Sequence, residues 1–128
     1  MATAPENIAK VRQVLNDLIQ EGDSNRIFSY LELEKLTGVQ HHTEALTVLG
    51  EISMEHFAEH RLLVSSLVVS KATSFPGAGY FKLAQELGLF PKKESIGEYI
   101  GESFLPSVAA AEFWRGQRGE LFRQKPFV

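Results

Sequence analysis

Two hydroxyl–carboxylate pairs fix where helices begin in this chain. Thr3-Ala4-Pro5-Glu6 and Ser29-Tyr30-Leu31-Glu32 each set a side-chain oxygen three residues ahead of a carboxylate, the spacing at which the two side chains satisfy the N–H groups that a first helical turn leaves unpaired. Behind each pair the apolar residues fall at helical spacing: Ile8, Val11, Leu15, Leu18 and Ile19 as far as Gly22, then Leu33 and Leu36 as far as Gly38. The same logic predicts a third helix, capped by Thr43 and running to about His60, with Leu46, Leu49, Ile52 and Phe57 turned inward. Two helices joined by a short glycine-bearing turn form a helix-turn-helix unit.

Downstream, Leu62 to Val69 is rich in β-branched and apolar residues and is bounded by polar ones, which predicts a buried strand. Lys71 to Gly79 then reads as a tight hairpin or loop, because Pro76, Gly77 and Gly79 supply turn geometry. Phe81, Ala84 and Leu87 mark a short helix ended by Gly88. Ser95-Ile96-Gly97-Glu98 reads as a third capping pair opening a brief helix, and Pro106 as the start of a last one through Val108, Ala111, Trp114 and Leu121.

At 128 residues and 44% hydrophobic, the chain suits one domain, residues 1–128, able to bury a core. The expected architecture is α+β and mostly helical: a winged-helix-like core over about 8–90 and a C-terminal helical extension over 91–128. With no cysteine, a disulfide framework, a thiolate zinc site, an iron–sulfur cluster and a thiol nucleophile are all excluded. Uncharged stretches such as Leu62–Ser70 are too short to span a bilayer, and Met1–Lys10 holds no apolar run ahead of a cleavage site, so no membrane association and a cytoplasmic location are expected.

Phe28-Ser29-Tyr30, Leu33, Gly38, Leu49-Gly50, Val68-Val69, Gly77, Gly79 and Leu83 to Gly88 together resemble the C-terminal DNA-binding domain of the alkylguanine-DNA alkyltransferase and alkyltransferase-like families, over roughly residues 8–90. The resemblance implies a winged-helix fold, association with DNA, and a phosphate-contacting role for Tyr30. It also implies what is missing. Ser65 stands where the family has its alkyl-accepting cysteine, Ser66 where it has the activating histidine, and Thr47 where it has the arginine that replaces a flipped base, so alkyl transfer is excluded. Leu67-Val68-Val69, Pro76 to Phe81 and Leu83-Ala84 are similar to a pattern in small uncharacterised bacterial and phage proteins.

The third helix carries an acidic stripe, Glu44, Glu51, Glu55 and Glu59. Carboxylates facing phosphates repel them and release no counterions, so Glu51, Glu55 and Glu59 point instead to a basic protein partner. His56-Phe57-Ala58-Glu59-His60 matches H-x-x-E-H, in which two histidines one turn apart hold zinc beside a general-base glutamate; the additional ligand would have to be Glu112 or Glu120. Gly77-Ala78-Gly79 lacks the remaining residues of a nucleotide loop, and Gly101-Glu102-Ser103 lacks the second glycine of a nucleophile elbow. Arg115 and Arg118 lie in a basic segment interleaved with aromatic residues, and the apolar tail Pro126-Phe127-Val128 is expected to dock on its own domain or on a second copy in a homodimer.

Three functions therefore stand open from the sequence. The first is a non-enzymatic DNA-associated regulator or accessory factor that uses Tyr30, Thr43, Thr47, Lys71, Arg115 and Arg118. The second is a protein-interaction module presenting Glu51, Glu55 and Glu59. The third is a metal-dependent hydrolase built on His56, Glu59 and His60. The first two need no cofactor and no bound metal.

Overall fold

The computed structural model describes residues 5–23, 25–39 and 44–128. Among them are five α-helices and one two-stranded antiparallel sheet, so the chain is α+β and mostly helical. Helix α1 (Pro5–Glu21) buries Val11, Leu15, Leu18 and Ile19, the stripe its periodicity predicts. Helix α2 (Tyr30–Thr37) opens with Ser29 Oγ accepting from the Glu32 N–H at 3.2 Å. It closes at Gly38, whose φ of 75° lets its N–H turn back to the Glu34 carbonyl. Helix α3 (Leu46–His60) follows a π turn at Glu44–Ala45. Thr3 and Thr43, the expected caps of α1 and α3, lie outside the described residues.

The buried stripe of α3 runs through Ala45, Val48, Leu49, Ile52, Ser53 and His56. Leu46 and Phe57, expected inside, flank it: Leu46 is 48% exposed and Phe57 is half-buried. Two polar residues inside the stripe hide its true centre from a count of apolar spacing.

Residues 62–69 are buried as predicted but do not form a strand. Val64–Leu67 is a 3₁₀ turn, and its pairing with another backbone segment is a single parallel bridge between Ser29 and Val69. Side chains from three helices take the place of a neighbouring strand. Gln117 Oε1 accepts from the Leu63 N–H, Ser53 Oγ from the Ser65 N–H, Tyr80 shares a hydrogen bond with Ser66 Oγ, and the Trp114 indole donates to the Ser66 carbonyl. Residues 70–77 likewise form a closed turn rather than a hairpin wing, held by Ser70 N–H to Phe75 O and Ser74 N–H to Ser70 O, and the chain enters helix α4 (Ala78–Glu86) directly.

The third capping pair does not start a helix. Gly97 adopts a φ of 136°, which a right-handed helix cannot continue, and Ser95 Oγ accepts from the Gly97 N–H instead of from Glu98. Strand β1 (Gly97–Ile100) pairs antiparallel with β2 (Ser103–Pro106), Tyr99 facing Phe104. Pro106 thus ends a strand, and helix α5 (Val108–Gln124) is capped by Ser107 Oγ accepting from the Ala110 N–H.

Buried residues gather in two clusters. One joins α1, α2 and α3 with Phe28, Leu67 and Val68; the other joins α4 with Leu63, Val69, Phe90 and Phe104. Helix α5 serves both, giving Leu121 to the first and Ala110 and Trp114 to the second. The extension expected beyond residue 90 therefore completes the core. Pro126 and Val128 are buried, and Val128 exchanges two hydrogen bonds with the Asn16 side chain on α1. Phe127 remains 80% exposed. No described helix is long and apolar enough to cross a membrane.

Candidate functional site

A groove of about 800 Å³ opens where α2, α3, α4 and the hairpin approach one another. Tyr30 fixes one wall. Its N–H donates to Val69 O at 3.0 Å, which ties the first turn of α2 to the end of the 62–69 segment. Its hydroxyl accepts from the Gly77 N–H at 3.2 Å, which ties the same residue to the start of α4. Burial raises the Tyr30 pKa, and the Gly77 hydrogen bond opposes that rise. The tyrosine is thus neutral, and its place in the groove is set by both ends of its side chain and backbone.

Leu31, Leu46, Leu49 and Leu83 supply apolar wall from three helices. Tyr80 lies on α4, buried, with its hydroxyl 2.6 Å from Ser66 Oγ; burial raises its pKa well above the ordinary tyrosine value. Ser65, from the 3₁₀ turn, also lines the groove, and its hydroxyl oxygen is buried without a hydrogen-bond partner. The cap of α4 is Gly77, which has no side chain to cover the first-turn N–H groups, so this helix start presents positive partial charge to the same space.

Charge in the lining has one sign. Lys71 and Lys82 are present and exposed, and no aspartate or glutamate lines the groove among the described residues, on a chain with thirteen Lys+Arg against sixteen Asp+Glu. Apolar walls, two cations and tyrosine side chains in a cleft of this volume are complementary in chemistry to an anion with an apolar or aromatic body.

Of the residues singled out in the sequence, Tyr30 and Lys71 are brought together here. Thr47 is exposed on α3 beside the lining residue Leu46. Arg115 is exposed on α5 and is not among the lining residues. Arg118 is turned into the protein: it donates to the Arg26 carbonyl at 2.7 Å, its guanidinium lies 4.9 Å from the Phe122 ring centre, and burial lowers its pKa. Arg123 is paired with Glu120. The basic segment of α5 is consequently not a row of outward cations.

Glu51, Glu55 and Glu59 are all exposed, as the acidic stripe predicts. The stripe is partly engaged by α1, since Arg12 donates to Glu55 at 3.0 Å and Asn7 to Glu44 at 2.7 Å. His56 and His60 stack with ring centres 4.4 Å apart, and Glu59 lies 3.7 Å from His60. Glu120 is occupied by Arg123 and Gln124, and no group of three His, Asp or Glu side chains gathers into a metal-binding arrangement among the described residues.

Lys82, Ser65, Tyr80 and Tyr99 are groove residues that sequence reasoning did not assign. Residues 77–83 were read only as a turn and the start of a short helix, and nothing local marked Tyr99. Comparison with family models, with curated proteins and with solved structures finds no match.

Proposed function

We propose that this chain is a non-enzymatic DNA-associated accessory factor or regulator whose groove receives an unpaired nucleotide. The observation that carries this reading is the exclusion of carboxylates from a cleft that holds two lysines on a net-acidic chain. An anionic strand meets attraction here and repulsion at the acidic face of α3, so the groove fixes where it docks. In this reading Tyr30 and Lys71 contribute at the groove rather than along a major-groove helix. The apolar walls suit a base, and the lysines suit its phosphates.

Two lysine–phosphate contacts set the salt dependence. For a single strand the slope of log K against log salt is about −1.4, so raising salt from 50 to 200 mM should weaken binding roughly sevenfold. Mobility shifts with single-stranded and duplex DNA check this. The paired change Lys71→Glu and Lys82→Glu should abolish retardation without unfolding the chain, because both residues are exposed. Absence of retardation for the unmodified protein at low salt overturns the reading.

A second reading rests on the exposure of Glu51, Glu55 and Glu59 along one helix: a protein-interaction module that docks a basic partner on α3. Retention of such a partner by the Lys71→Glu, Lys82→Glu protein would favour it.

A further inference from the structure

Tyr99 comes from the hairpin, far in sequence from the helices that build most of the groove, yet it forms part of the lining. It is 62% exposed. The register of the sheet sets it opposite Phe104, whose ring meets it edge-on with centres 5.3 Å apart at 66°. Phe104 is buried and packs in turn on Phe81 of α4, which is fully buried, at 6.0 Å. An exposed ring is therefore braced from behind by two rings anchored in the core. Bracing of this kind removes the ordering cost that a mobile surface tyrosine would incur on binding.

An apolar ring left in water in a groove that also holds two lysines, with no carboxylate among the described lining residues, matches the chemistry of a nucleotide: a π face on the base and a negative charge on the phosphate. Neighbouring Ile100 is equally exposed but does not line the groove, so the aromatic residue is the one that the hairpin delivers to the site. We infer that Tyr99 is the stacking platform of the groove, covering the face of an unpaired DNA base while Lys71 and Lys82 hold the adjoining phosphates. This inference rests on the DNA reading above and adds the hairpin to the site. Stacking on one aromatic side chain changes affinity by about 5- to 150-fold per base and tolerates any base, so Tyr99 contributes affinity rather than sequence preference.

The test compares two short fluorescent strands of equal length at low salt, one of thymidine nucleotides and one wholly abasic, titrated with the full chain. The unmodified protein should bind the thymidine strand at least about fivefold more tightly than the abasic strand. Tyr99→Ala should bind both strands alike, at the abasic level, with an unchanged melting temperature. Tyr99→Phe and Tyr99→Trp should restore the preference, and the indole introduced by Tyr99→Trp should be quenched by the thymidine strand and not by the abasic one. If Tyr99→Ala keeps the preference, or weakens both strands equally, the stacking role is overturned while DNA binding stands. If the unmodified protein binds neither strand, the DNA reading falls and the stacking role falls with it.

Discussion

Gly97 is the residue on which the hairpin depends. Its φ of 136° lies where side chains are strained, and an added Cβ would collide with the Leu105 carbonyl oxygen and the Pro106 Cα across the sheet. Gly97→Ala should displace β1, lower the melting temperature and remove the base preference assigned to Tyr99, all read in one thermal and binding series. His56 supplies a second single-residue prediction. Burial, helped by His60 and Arg12 and opposed by Glu55, lowers its pKa to about 4 from an ordinary 6.5, and its Nε2 is buried without a partner. The native state thus holds this imidazole neutral, while the unfolded chain takes up a proton below about pH 6.5. Its contribution to stability is present above that pH and is lost as pH falls towards 4. Denaturant midpoints at pH 7, 5 and 4 should show a smaller acid loss in His56→Phe than in the unmodified protein.

At the level of elements, α4 and α3 differ in what their phenylalanines carry. Phe81 is fully buried against Tyr80 and Phe104, whereas Phe57 is half-buried beneath the Arg61 guanidinium. Phe81→Ala should therefore cost about 3–5 kcal/mol and Phe57→Ala distinctly less, a ranking that chemical denaturation measures directly. Elements whose signals are local were legible in the sequence. Helix α1 could be read from its apolar stripe, and α2 from its Ser29 cap and its Gly38 stop, because these signals lie within or beside the helices' own residues. The 62–69 segment could not, since β-branched residues buried on every side look alike as strand or 3₁₀ turn until Gln117, Ser53 and Trp114 are known to supply its hydrogen-bond partners. Ser95 and Glu98 have the spacing of a cap, but Gly97 between them takes a backbone geometry that no spacing rule reports. That one misreading concealed Tyr99, because only an antiparallel hairpin carries it to the groove.

Over the whole molecule, two surfaces of opposite charge predict opposite responses. Glu51→Lys with Glu59→Lys, leaving the Arg12–Glu55 pair intact, should preserve folding; for a DNA ligand it should tighten binding and steepen the salt dependence, and for a basic protein partner it should weaken binding. Titrations of both ligand types across salt separate the cases by sign. Helix α5 matters at this scale for another reason, since it packs on α1 through Leu121 and on α4 through Phe113, whose ring centre lies 6.3 Å from that of Tyr80. Synthesis proceeds from one end at about 5–20 residues per second, so the apolar face of α1 waits roughly 5–20 s before residue 121 exists to cover it. During that interval Leu15, Leu18 and Ile19 lack a partner of their final cluster, and a nascent chain of this design is exposed to holdase chaperones until residue 121 has been made.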